Sequence, residues 1–275
     1  MSGGYAATLV AMMAAIMCWF WAPPAWSAAW TLPQGTGQAI FSTTYYRVED
    51  RFDEDGDRAG QPRFSKLEIA GYVQYGITND VTAGINPRLH YLEADSGNGE
   101  DTSTGLAATD FFIRARLWHD PSSVVSLQGL VKAPNTDNTA EPALGFGQTD
   151  VELRLLLGHS GGLGKASYFT NIEAGFRKRF EAPADEARVD ATLGLRPAGR
   201  WLLMLQSFNT VGLGNASGAK IVQTSGLDAD RYQLQASVGR ELTAALSLQV
   251  GVLRDVAGRN SGAGTTGVMG LWVRF

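Results

Sequence analysis

The sequence predicts an all-β protein: a membrane-spanning, up-and-down antiparallel β-barrel of about twelve strands that follows a cleaved N-terminal signal peptide. Three observations support this prediction. The N-terminus is apolar and uncharged, segments of strand length alternate in polarity from Gln38 onward, and the connections between them alternate between short and long. In a barrel of this kind, one row of side chains faces lipid and the next row faces the lumen.

The first 28 residues contain no charged side chain, and Leu9 to Trp21 is a continuous apolar run as long as a signal-peptide core. Pro23 and Pro24 end the run, and the small residues around Ala28 suit a signal peptidase. The expected division is therefore a signal peptide over 1–28 and a barrel over 29–275. Because Lys and Arg are missing from its start, a retained anchor helix is the alternative.

Composition limits the function classes. Mean hydropathy is −0.09, which excludes a bundle of membrane helices but suits a barrel, where only alternate residues face lipid. The net charge of −4 gives no reason to expect nucleic-acid binding. The single cysteine, Cys18, lies inside the apolar run, so the mature chain would have neither a disulfide scaffold nor a thiolate metal site. No cofactor is expected.

Strands are expected wherever apolar and polar residues alternate over about ten positions. In the sixth, the four odd-numbered positions of 151–157 are Val or Leu, while Asp150, Glu152 and Arg154 alternate with them. The expected strands lie near 38–49, 64–76, 81–93, 106–118, 124–132, 147–157, 166–179, 186–196, 201–210, 228–239, 245–255 and 265–275.

The connections between these strands carry an independent signal. Tight turns are expected at 77–80, 119–122, 159–164, 197–200 and 240–243. Longer polar loops are expected at 50–63, 94–105, 133–146, 181–186, 211–227 and 258–264. Outer-membrane barrels have short turns on the periplasmic side and long loops outside, so both chain termini are expected to be periplasmic.

The last strand ends the chain on an aromatic residue. Met269, Leu271, Val273 and Phe275 fall on one apolar face, which predicts a closing strand in contact with lipid. Phe275 resembles the signal read by the barrel-insertion machinery, which is therefore an expected partner. The alternative is a C-terminal strand of a secreted β-sandwich.

Alternation also assigns charged side chains to the lumen. Two interpretations remain open: cations that line an open pore and favour anions, or oppositely charged side chains that pair and nearly close it. Inward glutamines such as Gln74, Gln206 and Gln249 would suit polar solutes. The predicted pore-lining residues are Lys66, Arg88, Arg114, Arg116, Lys132, Arg154, Arg177, Arg188, Arg231, Glu68, Asp110 and Glu152.

Two further motifs suggest chemistry. Asp53, Asp55 and Asp57 flank a glycine in a pattern similar to the first half of a calcium loop, so a divalent-cation site competes with a solvated acidic loop tip. Gly158-His159-Ser160-Gly161-Gly162 satisfies the G-x-S-x-G expression, but it joins two predicted strands and no histidine follows it. We therefore predict no enzyme activity.

A resemblance adds to these arguments. Trp30 to Gln38, Tyr45-Tyr46 and Phe52 to Arg58 resemble segments of bacterial outer-membrane proteins known as transporters of the phenol meta-pathway family, or XagA-type proteins. The resemblance implies an outer-membrane barrel and transport of small organic molecules. It transfers no binding residues.

The predicted function is an outer-membrane channel that passes small polar or anionic organic solutes through a charged lumen. The alternatives are a closed structural barrel associated with polysaccharide export and an outer-membrane lipid-modifying enzyme. The expected protein is a monomer in contact with membrane lipid and lipopolysaccharide, and its solute is not identified by the sequence.

Overall fold

A computed structural model describes residues 28–275 except 96, 98, 135–139, 198, 219 and 220. Apart from Ala28, the signal peptide expected over 1–28 lies outside the described residues, as does Cys18. Within the described residues, no helix has the length and apolar character needed to cross a bilayer.

In the described part of the chain, twelve long strands form one closed antiparallel barrel, and three short strands decorate its loops. β1 pairs with both β2 and β15, so the sheet closes on itself and leaves no free edge. The strands are β1 (Gly37–Phe52), β2 (Arg58–Thr78), β3 (Val81–Asp95), β4 (Glu100–His119), β5 (Ser123–Pro134), β6 (Asp150–Leu163), β7 (Ala166–Arg179), β8 (Glu186–Arg196), β9 (Trp201–Gly212), β10 (Ile221–Val222), β11 (Ser225–Gly226), β12 (Asp230–Glu241), β13 (Leu246–Arg259), β14 (Ser261–Gly262) and β15 (Thr265–Arg274).

Side chains alternate between the outer surface and the lumen along each long strand. On β6, Leu153 is 57% exposed and Leu155 is 42% exposed, while Glu152 and Leu156, which flank this pair, are buried. Large apolar side chains cover the outer surface of the other long strands in the same way. A belt of this kind is stable against hydrocarbon and not against water, so the predicted membrane-spanning barrel is confirmed.

The two ends of the barrel differ. One end carries Gly37, Phe275 and the short connections at 79–80, 120–122, 164–165, 197–200 and 242–245, and we call it the turn end. The opposite end carries the longer connections, and we call it the loop end. The predicted alternation of tight turns with longer loops holds for most connections, but the loop expected at 94–105 is reduced to 96–99 and is as short as two of the turns.

Several strands extend beyond the predicted bounds. β7 and β8 match the expected 166–179 and 186–196, but most of the loops expected at 50–63 and 94–105 is strand. The β1–β2 ladder continues to Phe52↔Arg58, and the β3–β4 ladder continues to Asp95↔Glu100. Backbone pairing between neighbours does not require an apolar face, so the ladders continue past the lipid-facing belt.

The tight turn expected at 159–164 is wrong. Ser160 to Leu163 pair with Ala166 to Phe169 of β7, so the reversal occurs at Gly164 and Lys165. Gly164 has a φ of +64°, a left-handed conformation that glycine adopts without strain. The G-x-S-x-G string is therefore strand rather than turn.

Candidate functional site

The lumen-facing side of β5, β6, β7 and β8 carries one connected ion-pair network, which extends toward the loop end. Five cationic side chains and five carboxylates belong to it, so it carries no net formal charge. The ion-pair network consists of Lys132, Arg154, Arg177, Arg179 and Arg188 with Asp150, Glu152, Glu173, Glu186 and Asp190.

Glu152 and Arg154 connect most of this network. Arg154 donates to Glu152 at 2.7 Å, to Glu173 at 2.7 Å and to Asp190 at 2.6 Å. The Glu152 side chain is 1% exposed and also accepts from Arg177 at 2.9 Å. Buried ions of this kind are stable only while their partners remain, so the network fixes neighbouring strands relative to each other.

Further ion pairs lie at the same level or closer to the loop end. Arg88 pairs with Asp110, and Glu68 accepts from Lys66 at 3.3 Å and lies 2.7 Å from the Nε2 atom of His90. Each pair joins side chains on the same or an adjacent strand, so charge is compensated locally.

On the opposite wall, Arg231 donates to Asp255 at 2.8 and 3.1 Å. The Asp255 side chain is fully buried and also accepts from the Tyr46 hydroxyl at 3.1 Å and from Gln233 at 2.7 Å. This carboxylate therefore compensates the one guanidinium on β12 that faces the lumen within the described residues.

Loop segments fill the lumen near the loop end. Leu144, from the connection between β5 and β6, is 4% exposed and packs with Tyr46, Val48, Phe64 and Leu92 of three strands. Its carbonyl oxygen lies 3.3 Å from the His90 Nδ1 atom and accepts from the Gln223 amide at 3.0 Å. Two loop-end connections thus meet inside the barrel and narrow it.

A cavity of about 880 Å³ occupies the turn half of the lumen. It extends from Phe275 and the turn at Ala244 and Ala245 up to Arg154 of the ion-pair network. Its polar lining includes six glutamines, and four aromatic residues line it in addition to Phe275 at its end. These residues are Gln38, Gln74, Gln128, Gln206, Gln235 and Gln249, with Trp30, Tyr72, Phe208 and Trp272.

Arg114 lies at the wall of this cavity and is 1% exposed. It donates to the Gln128 Oε1 atom at 3.1 and 2.9 Å, and to the Gln74 Oε1 atom at 3.3 Å. The Trp30 carbonyl and the Tyr72 hydroxyl, each at 3.2 Å, complete its contacts. All these acceptors are neutral, unlike the carboxylates that hold Arg154.

The segment that precedes β1 forms one side of the cavity. Ala29 is fully buried against Val124 and Leu156, and its carbonyl accepts from Ser126 at 2.7 Å. The Trp30 ring covers Gly158, where an added Cβ would lie 2.3 Å from a ring carbon. The Gly158 position therefore needs glycine because the ring occupies the space of a side chain.

The predicted pore-lining residues divide into two groups. Eleven of the twelve form ion pairs, and Arg114 is the exception among the described residues. Arg116 pairs with Asp80 in a turn rather than across the lumen, and two of the twelve predicted residues, Arg114 and Arg154, line the turn-half cavity. A lumen lined by uncompensated cations is therefore absent from the described residues, and the extensively paired arrangement is present.

The acidic loop contains no recognisable metal centre. The Asp53 Oδ1 atom accepts the amide hydrogens of Asp55 and Asp57 at 3.0 and 2.9 Å, so it holds the turn between β1 and β2. No group of three or more His, Cys, Asp or Glu side chains among the described residues is arranged to hold a metal ion. The divalent-cation site stays a prediction without structural support.

The histidine and serine of the G-x-S-x-G string do not contact each other. The His159 Nδ1 atom lies 3.0 Å from the Ser123 hydroxyl, and its Nε2 atom lies 3.2 Å from the Tyr168 hydroxyl. Ser160 instead donates to the Ser122 carbonyl at 3.4 Å. The string therefore lacks the strand-to-helix turn and the base contact of a nucleophile elbow.

The sequence matches no protein-family model and no curated protein. The structure is similar to that of an outer membrane channel from Pseudomonas putida F1, with a TM-score of 0.68 and 14% identity over 90% of this chain and 98% of that chain. The NanC and KdgM porins give TM-scores of 0.49 and 0.47 at 8% and 7% identity, over 86% and 85% of this chain and 98% and 99% of theirs. This chain has an outer-membrane β-barrel fold. The XagA-type resemblance is not tested by these similarities.

Sequence reasoning missed several lumen residues of this barrel. Asp255 has the same parity as Gln249 on β13, so alternation alone could have assigned it to the lumen. Glu186 at the start of β8 was also overlooked. Trp30 precedes the first strand, and no periodic signal could have placed it beside Arg114.

Proposed function

We propose that this protein is an outer-membrane channel for small polar or anionic organic solutes, with its turn end in the periplasm. The observation that carries the proposal is the cavity of about 880 Å³ inside a closed barrel, because its size is that of a site for a small organic molecule. Amide groups and one guanidinium without a carboxylate partner line it, which suits solutes that accept hydrogen bonds.

Passage would depend on both halves of the lumen. Solutes would exchange between the periplasm and the turn-half cavity, where Arg114 lowers the electrostatic cost of a negative charge. The ion-pair network and the Leu144 segment form the narrow part, so a solute crossing it would displace or thread between them. We expect small conductance and small solutes.

Planar-bilayer recording tests the proposal. Purified, folded protein should give single-channel steps with a preference for chloride over potassium. Arg114→Ala should reduce that preference, whereas the control Arg116→Ala should leave it nearly unchanged, because Arg116 is compensated by Asp80. A folded barrel that inserts and stays silent would exclude the channel.

A closed structural barrel, associated with polysaccharide export, is the second candidate. The charge-neutral network and the packing of Leu144 inside the barrel favour it. The same recording separates the two candidates, since a structural barrel would conduct in neither the native form nor the Arg114 and Arg116 variants.

The exposed side chains of the barrel suggest which membrane components and partners it would contact. Apolar side chains would contact membrane lipid, and the loop end would meet lipopolysaccharide. Phe275 is 62% exposed on the outer surface, which leaves its ring accessible to the barrel-insertion machinery. Removal of Phe275 should lower the yield of folded barrel in cells without preventing refolding of the purified chain in detergent.

A further inference from the structure

We infer that the turn-half cavity is a binding site for a small organic anion, with one carboxylate and a compact apolar body, which is recognised by glutamine amides that Arg114 orients. The inference rests on the proposed function only in that solutes must reach the cavity from the turn end. Binding itself requires no passage through the barrel.

Arg114 leaves a positive charge at the cavity wall. Each of its protein hydrogen-bond partners is neutral, and its guanidinium also lies 5.4 Å from the Phe112 ring centroid. By contrast, Arg154 on the same cavity is held by three carboxylates. A buried cation without a counter-charge favours an anion nearby, because charges interact strongly where water is excluded.

The guanidinium also fixes how the neighbouring amides point. Arginine can only donate hydrogen bonds, so Gln128 and Gln74 must both turn their Oε1 atoms toward Arg114. The amide nitrogen of Gln128 is then directed away from the guanidinium, and Gln128 lines the cavity.

A relay of hydrogen bonds from Arg114 through Gln74 orients the amide of Gln38 on β1 in the same way. The Gln74 amide nitrogen, facing away from Arg114, donates to the Gln38 Oε1 atom at 2.7 Å. The Gln38 amide nitrogen is turned away from Gln74 in consequence, and Gln38 also lines the cavity. Two amide donors, from Gln38 and Gln128, are thus oriented by one cation, and a carboxylate accepts from such donors.

The carboxylates on the cavity wall do not oppose this preference. Glu173 and Asp190 both accept from Arg154, at 2.7 and 2.6 Å. Glu173 also accepts from the Asn171 amide at 2.6 Å, and Asp190 accepts from the Asn209 backbone amide at 3.2 Å. Their charge belongs to the neutral ion-pair network.

Aromatic rings supply the apolar part of the site. Trp30, Tyr72, Phe208 and Trp272 line the cavity. Flat rings of this kind bury a compact apolar body at low entropic cost. The volume of about 880 Å³ admits a molecule of that size together with water.

Three isosteric probes test the inference: benzoate, benzamide and benzamidinium. Each is titrated into the folded full-length mature barrel in lipid nanodiscs, and binding is followed by ligand-observed NMR. Benzoate should bind about tenfold more tightly than the other two, the scale of one charge-assisted hydrogen bond. Equal binding of all three, or preferred binding of benzamidinium, would overturn the inference.

Three variants test whether Arg114 and the amides that it orients cause the preference for benzoate. Gln38→Glu keeps the side-chain shape but puts a carboxylate at the end of the relay, so the preference for benzoate should disappear or reverse. Arg114→Gln should also abolish it, whereas Arg116→Gln should retain it. If Arg114→Gln does not fold, Gln38→Glu alone decides, and an unchanged preference there overturns the inference.

The bilayer experiment separates this inference from the proposed function. Conductance without selective benzoate binding would overturn the binding site and leave the channel. Selective benzoate binding by a silent barrel would support the site and remove the channel.

Discussion

In the loop half of the lumen, charged side chains neutralise one another across neighbouring strands, and Leu144 packs among apolar residues beside them. In the turn half, glutamine amides and aromatic rings surround open space, and Arg114 has no carboxylate partner among the described residues. The two halves lie within the same strands, so the difference arises from a few residues per strand. The difference shows that one barrel can have a filled, ion-paired lumen in one half and an open lumen lined by hydrogen-bonding side chains in the other.

The largest effect should come from breaking the ion-pair network. Glu152→Gln leaves Arg154, Arg177 and Arg188 without a shared buried carboxylate, which should cost roughly 3–5 kcal/mol of unfolding free energy. Urea unfolding of the lipid-reconstituted barrel measures it. The matched control is Glu49→Gln, whose carboxylate pairs with Arg47 at the exposed surface, and it should change the unfolding free energy far less than Glu152→Gln does. Equal losses in both variants would contradict the contrast between a buried and an exposed pair.

Leu144→Asp should convert the filled half into an open one. A carboxylate cannot remain unpaired among Tyr46, Val48 and Phe64, so the segment should leave the lumen at a cost of about 3 kcal/mol. Single-channel conductance should rise above that of the native protein. Leu213→Asp, at an already exposed loop-end position, is the control and should change neither quantity. Unchanged conductance in Leu144→Asp would show that this segment does not narrow the passage.

Gly158→Val should disturb the turn half alone. The new side chain would occupy the space of the Trp30 ring and displace the segment before β1, at a cost of about 1–3 kcal/mol. A cysteine introduced by Ala29→Cys, at a fully buried position, should then react faster with a maleimide. Gly162→Val on the same strand meets no atom within 4 Å, so labelling should stay slow. Slow labelling in both glycine variants would contradict the prediction, because it would show that the Trp30 ring can move without displacing the segment before β1.

The smallest effect concerns the loop before β8. Hydrogen bonds from the Arg179 backbone amide and then from the Lys178 ammonium lower the pKa of Asp185 to about 2. An unfolded aspartate has a pKa of about 3.9, so the carboxylate stabilises the fold at neutral pH and loses this contribution as the pH falls from about 4 to 2. The difference in melting temperature between the native protein and Asp185→Asn should shrink over that interval. The control variant is Asp57→Asn, at the tip of the loop between β1 and β2. A difference in melting temperature between the native protein and Asp185→Asn that is independent of pH would contradict the assignment.

The sequence was sufficient to predict the barrel and the approximate position of each long strand along the chain. Alternation on β6 and the parity of the connections depend only on local residue order, and a lipid-facing belt imposes that order on every strand. The predicted strand bounds differ most from the structure at the loop end, where ladders such as β3–β4 continue without an apolar pattern in the sequence.

Which charges enter the lumen was predictable, but their pairing was not. Arg154 reaches Asp190, two strands away, and Arg114 reaches Tyr72, also two strands away, so both contacts depend on the stagger between strands. The approach of Trp30 to Arg114 spans 84 residues and follows from the path of a segment without periodicity. Alternation gives the side of the sheet, whereas partners require the three-dimensional register.

The join between β1 and β15 has a consequence for biogenesis. Gly37 and Phe275 exchange two backbone hydrogen bonds, at 2.6 and 3.0 Å, so the ladder that closes the barrel begins at the first residue of β1. Before β1 and β15 have paired, a folding barrel therefore has two strand edges whose backbone groups lack partners. Unpaired edges of this kind pair readily with other chains, so we expect closure of the barrel at this join to be the step that protects it from aggregation.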